Sequence, residues 1–201
     1  MRKRRRIRPL GAVLLTALTL SLVVLGAGVY QLMAVEMRMY DGVNNARRST
    51  LTQEGAEGAA LADTGELHKA PNAETLGVLT FPDAANSAVA IYAGTDAKSL
   101  EQGAGHAAGT SLPGAVGNCV LFGHRDSAFR AMQALKEDDV IRIESGKSVF
   151  SYRVTKLYVT TPEDGGIYAE TDTAAITLVT CYPFRFVGPA PERYIAVAVM
   201  E

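Results

Sequence analysis

Hydrophobic and polar positions divide the chain into three regions with different patterns. Residues 10–35 form a run of 26 positions without a charged residue, dominated by Leu, Val, Ala and Gly. Residues 36–75 show little apolar periodicity. From residue 76, short runs rich in Val, Ile, Tyr and Thr alternate with Gly, Pro and Asp, a pattern typical of strands and turns. The pattern predicts an N-terminal apolar helix, a connecting segment and a β-rich domain.

The apolar run predicts a membrane-spanning helix over residues 10–35. About 20 apolar residues at 1.5 Å each cross a hydrocarbon core of about 30 Å, and Tyr30 lies near the far end, where an amphipathic ring suits the interface. A cleaved signal peptide is the alternative, indicated by the small residues Gly26, Ala27 and Gly28. The apolar part of a signal peptide is usually about 7–15 residues long. We therefore predict an uncleaved anchor.

Charge is distributed unevenly and predicts an orientation. Residues 1–9 carry six basic and no acidic side chains (+6), residues 36–75 carry four and seven (−3), and residues 76–201 carry ten and fourteen (−4), which together give −1. Basic residues before a spanning helix hold the N-terminus in the cytoplasm. We predict a cytoplasmic tail at 1–9 and an extracytoplasmic domain. A weakly acidic main domain gives no support for nucleic-acid binding, which requires a basic face.

Residues 36–75 are predicted to be a stalk or linker. Residues 36–48 are compatible with continuation of the helix, weakened at Asn44 and Asn45, and are followed by a stretch rich in Thr, Gly, Ala and Glu. Such a composition buries too little surface to offset the entropy of ordering, so we expect flexibility. His68 lies in this stretch, and we predict a solvated side chain without a function.

Residues 76–201 are predicted to be one all-β domain with short helices. The helices are expected at 95–103 and at 127–135, where Phe129, Met132 and Leu135 recur at three-residue spacing. Seven or more strands with few helices indicate a closed barrel or a sandwich, and periodicity does not separate the two. The candidate strands are 76–81, 88–92, 118–122, 140–143, 149–160, 175–180 and 194–199.

Two cysteines, Cys119 and Cys181, allow two interpretations. Outside the cytoplasm an even number of cysteines favours a disulfide. The alternative is a thiol kept free for catalysis, which needs a base because the thiolate is the attacking species. His124 follows an apolar run within Gly-His-Arg-Asp, and Cys181 ends another run. Two reactive side chains at two strand ends are what a Cys–His site requires.

At these residues the sequence resembles the sortase family, and most of all its class D members. The resemblance covers residues 76–201 and is most specific over 105–114, 117–126 and 177–184, continuing to 195. Its ordered pattern is a histidine after glycine at a strand end (His124), then Thr-Leu-Val-Thr-Cys ending at Cys181, then Arg193. The N-terminal anchor also fits the topology of that family.

The resemblance implies a closed eight-stranded β-barrel in which the strands of His124 and Cys181 are parallel neighbours. Cys119 then starts the strand that ends before His124, roughly 16 Å away at about 3.3 Å per residue. A disulfide needs Cα atoms within about 7 Å. With this fold Cys119 is not able to reach Cys181, and we predict a buried, inert thiol.

The resemblance also implies a mechanism and partners. Cys181 attacks the threonine carbonyl of a Leu-Pro-x-Thr-type sorting signal and forms a thioester, His124 exchanges protons with the departing and incoming amines, and Arg193 stabilises the oxyanion or holds the substrate. The partners are then surface proteins carrying a C-terminal sorting signal, a cell-wall amine as acceptor, and the membrane. The alternative for Arg193 is a surface ion pair with Glu192 or with another neighbouring residue.

Three further residues are weaker candidates for substrate binding. Arg125 lines the groove or is solvated, Asp126 orients His124 or caps a turn or helix, and His106 matches a family motif or holds a loop. No metal-ligand spacing and no phosphate loop occur, so no cofactor or metal is predicted. Two alternative functions are a cysteine endopeptidase that transfers the acyl group to water, and a membrane-tethered binding barrel with disulfide-bonded cysteines.

Overall fold

The computed structural model describes residues 9–53, 74–82 and 88–201. Its contacts divide the chain into two compact units, Met1–Arg38 and Met39–Glu201. Helix α1 (Pro9–Gln53) extends through the predicted helical continuation at 36–48. Most of the predicted cytoplasmic tail (residues 1–8) and the later part of the predicted stalk (residues 54–73, with His68) lie outside the described residues.

The predicted transmembrane span, 10–35, lies within α1. In the described part of the chain, no helix combines the length and the hydrophobicity that a membrane span requires. Side chains 10–16 of the predicted span lie outside the described ones. The membrane anchor therefore stays a prediction.

The second unit contains eight strands that close into a barrel in the order β1-β2-β3-β4-β7-β8-β6-β5. The closed barrel confirms the fold expected from the resemblance, and the sandwich alternative is wrong. The strands are β1 (Thr75–Thr80), β2 (Ala88–Ala93), β3 (Ala104–His106), β4 (Gly117–Phe122), β5 (Val140–Ser145), β6 (Ser148–Thr160), β7 (Ala174–Tyr182) and β8 (Glu192–Met200). The helices of this unit are α2 (Ala97–Gln102) and two 3-10 helices, Arg130–Ala134 and Gly165–Tyr168.

Each of the seven predicted strands corresponds to an observed one, and β3 was not predicted. Its three residues, Ala104–His106, include no β-branched side chain. The strand forms because it pairs in parallel with β2 and antiparallel with β4. Both predicted helices are shorter than expected, and the one predicted over 127–135 is a 3-10 helix.

Side chains alternate between two environments along β4 and β7, since successive residues of a strand point to opposite faces. Cys119, Leu121, Ile176 and Leu178 pack in the main cluster of buried residues, which fills the barrel. Residues that point to the opposite, outer face pack in a second cluster, which contains Val120 of β4, Val179 of β7, Ile195 of β8 and Ile167 of a 3-10 helix. The outer face is therefore covered locally by the loop between β6 and β7.

The end of α1 is part of the barrel unit. Val43 and Ala46 pack against Val78, Ala90 and Tyr92 of strands β1 and β2. Arg47 forms an ion pair with Glu144 at 3.2 Å, which as an exposed pair contributes at most about 1 kcal/mol. The apolar contact is therefore the main stabilising interaction, and the compact unit begins well before residue 76.

Candidate active site

The pairing of β4 with β7 brings two reactive side chains to the same edge of the barrel. The strands are parallel, with Phe122 opposite Val179. The next backbone bond, from the Gly123 amide to the Val179 carbonyl, measures 3.1 Å and continues the pairing past the end of β4. His124 and Cys181 each lie two residues beyond the Phe122–Val179 pair, so their backbones reach the same level of the barrel.

Arg193 joins them through the pairing of β7 with β8. Its Cα is the antiparallel partner of the Cys181 Cα, and side chains directly opposite one another in such a pair lie on the same face. The His124 side chain is exposed, whereas Cys181 and Arg193 are half-buried. The strand pairing thus places the backbones of all three residues predicted to be catalytic at the same end of the barrel.

The Arg193 guanidinium lies against the backbone that leads into β8. Nη1 donates to the carbonyls of Glu192 at 2.9 Å and Ala190 at 3.4 Å. Among the described residues Arg193 has no carboxylate partner, so the alternative of an ion pair with the Glu192 side chain is wrong. Its Nε and Nη2 have no protein acceptor among the same residues, which leaves these donors for a ligand.

Both cysteines are free, and their surroundings differ. Cys119 is buried inside the barrel, and this burial raises the pKa of its thiol to about 12. Its partner on β7 is Ile176, five residues before Cys181. The Cys119–Cys181 disulfide is therefore wrong, as the strand pairing implied by the resemblance predicted.

A pocket of about 130 Å³ continues the site along the outer face of β7. Arg193 belongs to both the pocket and the site, and Val179 lies on the same face two residues before Cys181. The Phe122 and Tyr168 rings face each other with centroids 6.3 Å apart. The lining residues are Phe122, Val179, Arg193 and Ile195 from the barrel, and Thr160, Thr161, Pro162, Glu163, Asp164, Gly165, Ile167 and Tyr168 from the end of β6 and the loop after it.

Buried hydrogen bonds hold the outer wall of this pocket in place. The Asn118 amide donates to the carbonyls of Ile167 and Ala169, both at 3.0 Å, and accepts from the Thr177 hydroxyl at 2.8 Å. A buried amide is costly unless it is paired, and this one is paired on both sides. The β6–β7 loop is thereby tied to the middle of β4.

Asp164 fixes the start of the same wall. It accepts from the Thr160 hydroxyl at 2.7 Å and from the Gly166 amide at 2.8 Å, and so caps the 3-10 helix Gly165–Tyr168. These bonds stabilise the carboxylate, chiefly the one from Thr160, and lower the pKa of Asp164. Its oxygens are engaged in holding the loop.

The weaker candidates have structural contacts. His106 is buried on β3, where its Nε2 lies 2.9 Å from the Ser111 carbonyl and 3.0 Å from the Thr110 hydroxyl, and so holds the following loop. The Asp126 carboxylate makes no hydrogen bond to His124 among the described residues, and the N-cap of the nearby 3-10 helix is Phe129. Asp126 lies in the turn formed by residues 125–129, where its backbone carbonyl accepts from the Arg130 guanidinium.

Arg125 is half-buried and contacts a neighbouring loop. Its Nη1 donates to the Pro183 carbonyl at 3.1 Å, and its Nη2 donates to the carbonyls of Phe186 at 2.9 Å and Gly188 at 3.3 Å. All three acceptors lie in the loop between β7 and β8. The side chain after His124 therefore holds the loop that follows Cys181.

Sequence reasoning missed Asn118 and Thr180 as residues that organise the site. The Thr180 hydroxyl is buried and donates to the Gly123 carbonyl at 2.7 Å, which ties the residue before Cys181 to the residue before His124. Both are polar residues inside apolar strand runs, and that was the available signal. Within the described part of the chain, no three His, Cys, Asp or Glu side chains are grouped so as to hold a metal ion.

Comparisons with known proteins agree with this geometry. The model of the sortase domain matches residues 79–201. Sortase D of Bacillus subtilis (strain 168) is 31% identical over 179 residues, covering 87% of this chain and 90% of the relative. The catalytic domain of B. anthracis SrtD is 32% identical to this chain, and the two structures superpose with a TM-score of 0.55. The match covers 72% of this chain and 97% of that chain. The Clostridium perfringens sortase D5 transpeptidase shares the fold at 22% identity, with a TM-score of 0.59. The match covers 78% of this chain and 99% of that chain.

Proposed function

The chain belongs to the sortase family of cysteine transpeptidases, and we propose that it cleaves a Leu-Pro-x-Thr-type sorting signal after the threonine and transfers the protein to a cell-wall amine. The observation that carries the proposal is the strand pairing that puts Cys181, His124 and Arg193 at one edge of the barrel. Surface proteins with a C-terminal sorting signal are the proposed substrates.

Cys181 is the proposed nucleophile. Its sulfur, as the thiolate, attacks the threonine carbonyl carbon, and the carbonyl oxygen becomes an oxyanion. The amide C–N bond then breaks, the departing amine takes a proton from His124, and a thioester remains. The acceptor amine attacks the thioester and loses a proton to His124. The new amide forms, and the Cys181 thiolate is released.

Arg193 is the proposed electrostatic group. A guanidinium keeps its charge at any physiological pH and presents several donors in a fixed plane. Nη1 is bonded to the loop backbone, Nε and Nη2 have no acceptor among the described residues, and the Cα of Arg193 is paired with that of Cys181. Donors placed in advance where negative charge develops stabilise the transition state, typically by about 3–4 kcal/mol for one such donor.

The pocket beside Arg193 is the proposed site for the part of the signal that precedes the threonine. Its walls combine apolar side chains, such as Ile167 and Ile195, with the aromatic pair Phe122 and Tyr168. Such walls suit the leucine and proline of the signal. Because the pocket adjoins Cys181 along β7, an extended peptide in it would bring the next carbonyl to the thiol.

Membrane attachment through residues 10–35 completes the proposal. It is supported by the 26 uncharged residues and by the six basic residues before them. The expected result is that the full chain, expressed in bacteria, stays in the membrane pellet after alkaline carbonate extraction. A chain starting at residue 36 serves as the control and should appear in the supernatant. Full extraction of the intact chain would contradict attachment.

The central test uses the purified full chain with a fluorogenic Leu-Pro-x-Thr peptide, with and without an amine acceptor. Wild type is expected to cleave the peptide and, with the amine, to form a ligated product detected by mass spectrometry. Cys181→Ala should lose at least about 10³-fold in rate, because the covalent route is gone. Equal cleavage by the two proteins would refute the assignment. Cleavage without ligation would favour the endopeptidase alternative.

A further inference from the structure

The loop between β7 and β8 (residues 183–191, called here the β7–β8 loop) follows the proposed nucleophile after one residue. Most of its side chains are exposed, and the Val187 side chain is 99% exposed. Among the described residues, the loop makes no backbone–backbone hydrogen bond. Its conformation must therefore be held by other contacts, since exposed chain without such bonds is the part of a protein that orders least readily.

The Phe184 ring at the start of the loop packs against Tyr182 and Tyr194, and two arginines supply the polar contacts. Arg193 donates to the Ala190 carbonyl at the end of the loop. Arg125 donates to the carbonyls of Pro183, Phe186 and Gly188, and its guanidinium carbon lies 5.9 Å from the centre of the Phe186 ring. One side chain thus contacts the beginning, the middle and the far part of the loop.

The position of Arg125 gives these contacts a consequence for the site. It is bonded covalently to His124, and its first acceptor, Pro183, lies two residues after Cys181. On the other flank, Thr180 is tied to the Gly123 carbonyl at 2.7 Å. The segments that carry Cys181 and His124 are therefore joined by side-chain hydrogen bonds both before and after the two reactive residues.

We infer that Arg125 is a positioning residue: its guanidinium fixes the β7–β8 loop and with it the relative placement of Cys181 and His124. The inference rests on the proposed function, in which these two residues carry the reaction. It replaces the prediction that Arg125 binds substrate, because three carbonyls of the loop already accept from its guanidinium. Lysine is not an equivalent, since a single ammonium group does not span three carbonyls held by a planar guanidinium.

The test compares Arg125→Met and Arg125→Lys with wild type in the full chain. We expect kcat for peptide cleavage to fall about 10-fold to 100-fold in Arg125→Met, because small misplacements of reacting groups cost that much. KM for the sorting peptide should stay within about twofold, since the pocket lies on the other flank of Cys181. Arg125→Lys should recover only part of kcat. Arg142→Met, an exposed arginine on β5, is the matched control and should keep wild-type values.

Limited trypsin digestion gives a second readout that does not depend on activity. Arg185 is an exposed cleavage site within the β7–β8 loop. Cleavage after Arg185, followed by mass spectrometry, should be several-fold faster in Arg125→Met than in wild type or Arg142→Met. Unchanged cleavage at Arg185 together with unchanged kcat would overturn the inference. The folded fraction of each variant is measured by circular dichroism. A loss of kcat in proportion to the loss of folded protein would also overturn the inference, because Arg125 would then contribute only to stability. If wild type itself is inactive, the proposed function fails, whereas the digestion still tests whether Arg125 fixes the β7–β8 loop.

Discussion

One cysteine thiol lies on the inner face of the β4–β7 strand pair and another on the outer face, and the two differ in exposure. Cys119 lies on the inner face and is buried, and Cys181 lies on the outer face at the end of its strand and is half-buried. The two positions differ in the direction of the side chain and in the level along the sheet. Strand register, more than residue type, therefore decides which thiol is available for chemistry.

Polar groups on the two faces also differ in what they hold. On the outer face, Asn118 and Thr177 tie the β6–β7 loop to the barrel and thereby form the pocket. On the inner face, Thr180 ties only the backbone of Gly123, within the strand pair itself. Polar residues on the outer face therefore shape the space for a ligand, whereas the one on the inner face fixes the scaffold.

The largest expected effect is on the alkylation of Cys119. A pKa of about 12 leaves a thiolate fraction on the order of 10⁻⁴ at pH 8, against roughly a quarter for an ordinary thiol. In the Cys181→Ala variant, the only thiol should react with iodoacetamide at least about 10³-fold more slowly in the native state than in guanidinium chloride. Cys119→Ala, which keeps Cys181, should react without denaturant. Rapid native labelling of Cys119 would contradict the inner-face assignment.

The same burial predicts the sign of a pH dependence. The folded state holds the Cys119 proton more tightly than the unfolded state, because burial disfavours the thiolate. Stability from this group is fully present below the ordinary thiol pKa, and it is lost as the pH rises from there toward about 12. Urea unfolding of wild type and Cys119→Ala across that range should show a steeper decline for wild type.

The next effect concerns Arg193 on the outer face. Replacement by alanine should lower kcat/KM for the sorting peptide about 10²-fold to 10³-fold, as expected when a donor to the oxyanion is lost. Arg193→Lys should recover little, because the planar fork is absent. Arg142→Ala removes the same charge from an exposed position on β5 and should have no effect. Activity within about twofold of wild type in Arg193→Ala would show that Cys181 and His124 suffice.

Seven strands could be predicted from the sequence, because runs of Val, Ile, Tyr and Thr between turn residues are a local signal. The closed barrel and the grouping of His124, Cys181 and Arg193 were implied by the resemblance to the sortase family. Strand β3 was missed because pairing on both edges, and not composition, forms it. The role of Arg125 was missed because its acceptors lie about 60 residues away, in a loop whose path the sequence does not encode locally.

The contacts of Asn118 were missed for the same reason, since its acceptors are 49 and 51 residues away. They give the smallest of the expected effects. Asn118→Ala leaves the buried Ile167 carbonyl, the Ala169 carbonyl and the Thr177 hydroxyl without this partner, so the free energy of unfolding should fall by about 1–3 kcal/mol. KM for the sorting peptide should rise while kcat changes less, because the loop forms the wall of the pocket, whose lining does not include Cys181.

Thr177→Val is the matched variant, because it removes only the hydroxyl that orients the Asn118 amide and keeps both bonds to the loop. The expected loss in unfolding free energy, from urea titration, is about 1 kcal/mol, with KM near the wild-type value. An Asn118→Ala protein that loses stability without any rise in KM would mean that the β6–β7 loop is held without this amide. The polar residues of the outer face would then stabilise the barrel, as the one on the inner face does, without forming the wall of the pocket.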